Sequence, residues 1–247
     1  MGLIEEQERF YDARWRDIRY ADGLKLQRAT AILAALAEIA VTEPRMLELG
    51  CGTGWLSAIL AQFGPTVGVD LSGEAIKLAC DRYPFVTFLH ADIGRWSAGT
   101  DIFDVVVSHE VIEHLEDQAH HLRLASDCLR PGGHLILTTP NADTVRAAAK
   151  PGTRPLSAQM IENILTRAEL MALVRGAAFE ITQISTLTMG YGRGGLRTVV
   201  NSPKVRGLLR RIGIGRAAEY LALASGAGLH TIVVARKPQR REAGGDT

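Results

Sequence analysis

The sequence predicts an α/β fold, a doubly wound and mostly parallel sheet of seven strands, and three observations point to it. Short apolar runs alternate with helical segments from residue 45 onward, three glycines at alternate positions follow the first run, and a Pro-Gly-Gly turn precedes the fifth. N-terminal cap helices are expected over residues 1–40. The sheet domain follows over 41–238, with a helical insertion at about 188–228, and the tail 239–247 reads as disordered.

Taken in order, residues 5–17 are rich in charge and in aromatic side chains (Phe10, Tyr11, Trp15), and residues 24–39 carry apolar positions at helical spacing. Both predict helices ahead of the core, and Pro44 ends the helical region. Tyr11, Trp15 and Tyr20 are either a lid over a bound ligand or ordinary packing. Runs at 46–49, 66–69, 86–89, 103–107 and 134–138 then predict buried parallel strands. A helix at 165–175 and runs at 179–187 and 230–235 complete the seven. Leu129-Arg130-Pro131-Gly132-Gly133 stops a helix and launches the fifth strand, which glycine and proline backbone preferences explain.

Bulk properties narrow the function classes. The chain has 247 residues, 47% hydrophobic and 22% charged, enough for one domain with a sizeable core. A net charge of +1 gives no global reason to expect nucleic acid. Cys51, Cys80 and Cys128 lack metal-ligand spacing, and the N-terminus lacks the basic-then-apolar order of a signal peptide, so a reducing, cytoplasmic setting is expected. The most apolar helical stretch, residues 31–41, is interrupted by Glu38 and falls short of the roughly 20 residues of a membrane span.

Chemistry concentrates at the ends of the first strands. In Glu48-Leu49-Gly50-Cys51-Gly52-Thr53-Gly54 the glycines permit positive φ and close approach of a ligand to the backbone between strand and helix. Their G-x-G-x-G spacing differs from the dinucleotide pattern G-x-G-x-x-G, which disfavours a pyrophosphate on the helix N-terminus. Twenty positions after Gly50, Asp70 ends the second strand, where a carboxylate accepts from both hydroxyls of a ribose or simply caps the turn Asp70-Leu71-Ser72. Asp92, in Ala91-Asp92-Ile93, is placed to accept from an adenine amino group while Ile93 packs on the ring, or to cap its own loop.

The order of these segments over roughly residues 45–140 resembles the class I S-adenosylmethionine methyltransferases, with Phe103-Asp104-Val105-Val106-Val107 and Leu129 to Gly133 as further matching pieces. The resemblance implies a Rossmann-like fold with S-adenosyl-L-methionine as cofactor. It implies that Gly50 and Gly52, with Cys51 and Gly54 in the same loop, line the methionine part, that Glu48 holds its amino group, and that Asp70 and Leu71 take the ribose. Ala91, Asp92 and Ile93 would take the adenine, beside Ser108 of the fourth strand. Within the class, Glu110-Val111-Ile112-Glu113-His114-Leu115 and Thr138-Thr139-Pro140-Asn141 look most like ubiquinone-biosynthesis O-methyltransferases and related small-molecule enzymes.

Methyl transfer from a sulfonium needs an aligned nucleophile and, for a hydroxyl, a base near neutral pKa. His109 and His114 are the candidates, on a helix expected after Ser108. Glu110, Glu113 and His114 at i, i+3 and i+4 would share a helical face able to bind a divalent metal, as in some relatives. The alternative is Ser108 as an N-cap followed by ordinary acidic first-turn residues. His120 and His121 are expected to face solvent, and Cys51 to be a packing residue. The acceptor is read as a small or lipid-linked metabolite methylated on oxygen or nitrogen. A nicotinamide oxidoreductase, an RNA methyltransferase and a non-catalytic adenosylmethionine-binding subunit are the rivals.

One segment stands apart. Residues 181–218 contain no Asp or Glu, while Arg193, Arg197, Lys204, Arg206, Arg210, Arg211 and Arg216 are basic. Val205, Leu208, Leu209 and Ile212 follow helical spacing among them, so a basic amphipathic helix is expected over 203–216. It is either a cap with its apolar face on the sheet or a peripheral contact with anionic membrane.

Overall fold

The computed structural model describes residues 2–17, 22–148, 161–189, 203–213 and 226–239, with positions 217, 221, 223 and 224 between the last two stretches. Helices α1 (Leu3–Asp17) and α2 (Gly23–Ile39) precede β1 (Met46–Leu49), α3 (Trp55–Leu60), β2 (Thr66–Asp70), α4 (Gly73–Arg82), β3 (Thr87–His90) and β4 (Phe103–His109). A single 3-10 turn, Ile112–His114, leads to α5 (Gln118–Cys128), β5 (Leu129–Pro140), α6 (Ala142–Ala148), α7 (Arg167–Gly176), β6 (Glu180–Met189), α8 (Pro203–Arg211) and β7 (Gly228–Arg236).

The seven strands form one sheet in the order β3-β2-β1-β4-β5-β7-β6. The first five are parallel, whereas β7 runs antiparallel to both β5 and β6. The chain winds outward from β1 to β3, crosses over, and continues from β4 on the other side. The reversal leaves a crevice at the carboxyl ends of β1 and β4, where ligands of such sheets bind.

Period-two alternation sorts the core into two faces. Met46, Val105, Val107, Ile136, Ile232 and Val234 pack with Leu56 and Leu60 of α3 and with Ile32, Ala35 and Leu36 of α2. Leu47, Leu49, Val106, Leu135, Leu137 and Val233 face the other way, against Leu122 and Ala125 of α5 and Leu170 and Val174 of α7. Thus α2, expected as a cap, is a member of one helical layer, because its apolar stripe is wide enough to cover the β5–β7–β6 side of the sheet. Helix α1 lies outside the layers, against α4. No helix among the described residues is long and apolar enough to cross a membrane.

The predicted strands appear with small shifts of their ends. The turn Pro131-Gly132-Gly133 lies inside β5, with Gly132 at φ +81° and a register shift against β4 between Phe103 and Val105. Residues 214–216 of the expected basic helix, most of the insertion, Tyr20 and the tail from residue 240 lie outside the described residues.

Candidate cofactor and acceptor site

The glycine loop turns sharply between β1 and α3, with Gly50, Gly52 and Gly54 at φ +76°, +52° and +76°. A side chain on Gly50 would run into Val111, and one on Gly52 would meet the Trp15 ring at 2.9 Å. Alanine therefore fails here on both backbone conformation and space. Gly54 caps α3, and the backbone amides of Gly50 and Cys51 both donate to Val69 O, at 2.8 and 3.0 Å. Cys51 is buried, and burial raises its thiol pKa, as befits a packing residue.

Three acids stand at the ends of the first three strands. Glu48 is buried and accepts a short hydrogen bond from the Ser57 hydroxyl; burial pushes its pKa up to about 8. Asp70 is buried and accepts from Gly52 N at 2.7 Å and Ser72 N at 2.9 Å. Burial raises its pKa, against the pull of those two bonds. Asp92 accepts from Gly94 N at 2.8 Å through Oδ1, while its buried Oδ2 has no hydrogen-bond partner. Arg95 Nε lies 3.8 Å from that oxygen, an ion-pair distance too long for a hydrogen bond, so Oδ2 keeps lone pairs for a ligand's donor. Leu71 and Ala91 sit beside Asp70: Leu71 O meets His90 Nε2 at 2.9 Å, and Ala91 N donates to Asp70 O at 3.0 Å.

Helix α1 lies along this row. Asp12 receives the Ser72 hydroxyl at 2.5 Å and Glu74 N at 3.2 Å, Glu8 pairs with His90 at 3.0 Å, and Gln7 donates to His114 O at 3.0 Å. A cavity of about 520 Å³ lies at its carboxyl end, lined by Tyr11 and Trp15 together with Glu48, Gly50 and Gly52. A second, of about 570 Å³, lies at its amino end beside Asp92 and Ile93. Tyr11 and Trp15 thus line the first of these cavities from α1.

The segment after β4 departs from expectation. No helix follows Ser108 directly: pairing with β5 extends β4 through His109, Glu110 N bonds to Thr138 O, and Glu110 takes a left-handed φ of +59°. Ser108 is therefore a strand residue and not an N-cap, with its hydroxyl 2.9 Å from His121 Nε2. Glu110, Glu113 and His114 consequently do not share a helical face. Glu113 accepts from Thr139 Oγ1 at 3.0 Å and Glu110 turns to His230, and among the described residues no three His, Cys, Asp or Glu side chains converge as metal ligands. His121, expected in solvent, is 2% exposed, and burial lowers its pKa to about 4; His120 is half-buried. Helix α5 turns this edge inward because Leu122 and Ala125 must reach the core.

His109 and His114 both line the cavity at the carboxyl end of α1. Burial lowers His109 to about 4, and its Nε2 accepts from Arg28 Nε at 3.1 Å. His114 is also lowered by burial, its Nδ1 lies 3.0 Å from Ile161 O, and its Nε2 lies 3.6 Å from Glu113 Oε1. Donation to that carbonyl puts the proton on Nδ1 and leaves Nε2 with a lone pair. Glu113, fully buried beside Glu110, is raised well above the usual carboxylate range by burial.

Sequence reasoning missed Arg28 and His230. His230 Nε2 lies 3.2 Å from both Glu110 Oε2 and Arg28 Nη1, and Arg28 Nε is 3.8 Å from the same oxygen. Burial alone would raise Glu110, but the hydrogen bond from His230 and the charges around it hold it below its ordinary value. Residues 28, 110 and 230 meet only because α2, the end of β4 and the start of β7 share one edge. A lone arginine in an apolar helical stripe was the signal available.

Glu48 makes the site's electrostatics testable. Its folded pKa of about 8 exceeds the ordinary glutamate value of 4.5, so the folded chain keeps a proton that the unfolded chain loses between these values. The stability this contributes is complete below pH 4.5 and is lost as the pH rises through 8. Glu48→Gln should therefore flatten the decline of melting temperature between pH 5 and 8, measured calorimetrically without cofactor; an unchanged slope would mean that Glu48 is ionised.

The model of a family described as a methyltransferase domain matches residues 15–184. A Mycolicibacterium smegmatis protein named "Probable S-adenosylmethionine-dependent methyltransferase" is 33% identical over 150 residues, which cover 60% of this chain and 56% of that relative. The ubiquinone biosynthesis O-methyltransferase of Xanthomonas oryzae pv. oryzae is 30% identical over 166 residues, 60% of this chain and 68% of the relative. The match thus spans little more than half the length of the mycobacterial relative. Among solved structures, an S-adenosylmethionine-dependent methyltransferase from Mesorhizobium loti superposes with a TM-score of 0.57 at 21% identity, over 83% of this chain and 97% of that one.

Proposed function

The chain belongs to the methyltransferase-domain family, with the class I S-adenosylmethionine-dependent fold, and from that premise we propose that it transfers a methyl group from S-adenosylmethionine to an oxygen or nitrogen of a small or lipid-linked metabolite. The observation that carries the reading is the row Glu48, Asp70 and Asp92 along three successive strand ends, ending in Asp92 Oδ2, which accepts no hydrogen bond and has only the Arg95 guanidinium at 3.8 Å, and flanked by the left-handed glycines. These residues fit the cofactor. Asp70 keeps lone pairs for ribose hydroxyls after accepting two amides, Asp92 has an oxygen for the adenine amino group, and Gly50 and Gly52 leave the backbone open to the methionine part. When bound, S-adenosylmethionine supplies an electrophilic methyl carbon on a sulfonium.

The chain's own residues orient the acceptor and take its proton. Trp55, Leu24, Pro140, Val145 and Leu229 give the cavity at the carboxyl end of α1 an apolar wall, suited to a hydrophobic acceptor. His114 is the better base of the two histidines, since its Nε2 keeps a lone pair while that of His109 is held by Arg28. His109 then positions Arg28 and the cavity floor. No metal enters this scheme.

Calorimetry with S-adenosylmethionine, S-adenosylhomocysteine and NAD should find binding of the first two alone; binding of NAD in their place would sink the proposal. Methyl transfer assayed against quinol precursors, glycosylated metabolites and RNA then identifies the acceptor class. With that acceptor, His114→Ala should lower kcat by roughly a hundredfold or more while cofactor affinity stays unchanged.

A further inference from the structure

Helix α8 lies in the insertion between β6 and β7, and the sheet's topology fixes the edge from which that insertion leaves. β7 is antiparallel to β5, with His230 opposite Pro140, and Met189 at the end of β6 pairs with Gly228 at the start of β7. The insertion therefore leaves and re-enters at the carboxyl edge of the parallel strands. Leu229 and His230, which follow it, line the cavity that holds His109 and His114.

The helix carries an apolar stripe that the described residues cover only in part. Val205 and Leu209 are half-buried, but Leu208 is 59% exposed and Ile212, in the turn that continues the helix, is 58% exposed. Lys204 and Arg211 are exposed beside them, within the 38 residues that lack any acid. The cap reading predicted a stripe buried on the sheet. A second exposed pair stands at the same edge, where Leu24, which lines the cavity, is 44% exposed and Leu26 is 59% exposed in the first turns of α2.

Exposed leucine and isoleucine beside exposed cations, in a stretch of sequence without acids, match one kind of surface, an apolar layer beneath negative headgroups. We infer that the chain docks peripherally on an anionic bilayer through α8, its apolar stripe entering the headgroup boundary and its cations facing lipid phosphates. An RNA partner would use the cations but would gain little from Leu208 and Ile212. Docking there turns the cavity edge toward the membrane, where a lipid-linked acceptor would be found. The docking itself stands apart from the methyl-transfer reading, and only the acceptor's location rests on both.

Co-sedimentation tests it with the full chain, using vesicles of phosphatidylcholine alone and of phosphatidylcholine with phosphatidylglycerol, at low and high salt. Binding is expected to the anionic vesicles, to fade with salt, and to fall at least tenfold both in Leu208→Glu/Ile212→Glu and in Lys204→Glu/Arg211→Glu. Each cation near such a surface contributes about fivefold. S-adenosylhomocysteine calorimetry on both variants should be unchanged, which separates loss of docking from loss of the fold or of the cofactor site. Absence of sedimentation at low salt, full binding by the leucine–isoleucine variant, or retention on RNA without vesicle binding would each overturn the inference.

Discussion

Replacing Asp70 by Ala should weaken S-adenosylhomocysteine binding by a hundredfold or more. Two charge-assisted hydrogen bonds to ribose hydroxyls, at about 1.5 to 3 kcal/mol each, disappear together, and every 1.4 kcal/mol or so is tenfold in affinity. The carboxylate also holds the loop: Gly52 N and Ser72 N, both on buried residues, would be left without their acceptor. Each such loss costs about 1 to 3 kcal/mol, so the variant should melt at lower temperature as well. Asp70→Asn separates the two effects, because the amide keeps one acceptor oxygen for the loop but carries no charge for the ribose. It should recover much of the stability and little of the affinity. Unchanged calorimetric affinity in a folded Asp70→Asn protein would remove Asp70 from the cofactor site.

Arg28→Met should destabilise the fold more than any other surface-to-core change at this site. Arg28 is 8% exposed and is the cation facing the largely buried Glu110 and the rings of His109 and His230. Removing one partner of a buried pair leaves the other charge uncompensated, a cost of about 3 to 5 kcal/mol. For a chain of this size that corresponds to a fall in melting temperature of roughly 6 to 20 °C. The double variant Arg28→Met/Glu110→Gln should regain most of it, because the stranded charge is gone. If the single variant melts like the parent, Glu110 has taken up a proton without penalty, and the pair does not hold α2 to the ends of β4 and β7.

The sheet was legible because its signals are local. Buried parallel strands must be apolar on both faces, so the runs at 46–49 and 103–107 announce themselves, and the glycines of the loop are demanded by backbone angles that other residues avoid. Asp70 and Asp92 were legible for a related reason: each directly follows a strand, so its position along the chain is also its position at the sheet's edge. The segment after β4 was not. Glu110, Glu113 and His114 have perfect helical spacing, yet β5 continues to pair through His109 and forces Glu110 into a left-handed turn. Spacing describes a helix only where the backbone is free to form one.

His121 shows the same limit from the side of burial, since the face that α5 presents to the core depends on where β4 and β5 place Leu122 and Ala125. The sequence by itself determined the sheet, the glycine loop and the acidic row, each being a property of residues close along the chain. Only the tertiary structure decided which groups meet across the crevice, Arg28 with Glu110 and His230 and α1 over Asp70, and that Leu208 and Ile212 at α8 stay exposed. Those arrangements join residues 60 to 200 positions apart, and periodicity along the chain carries no information about which distant side chains the winding of a sheet brings to one edge.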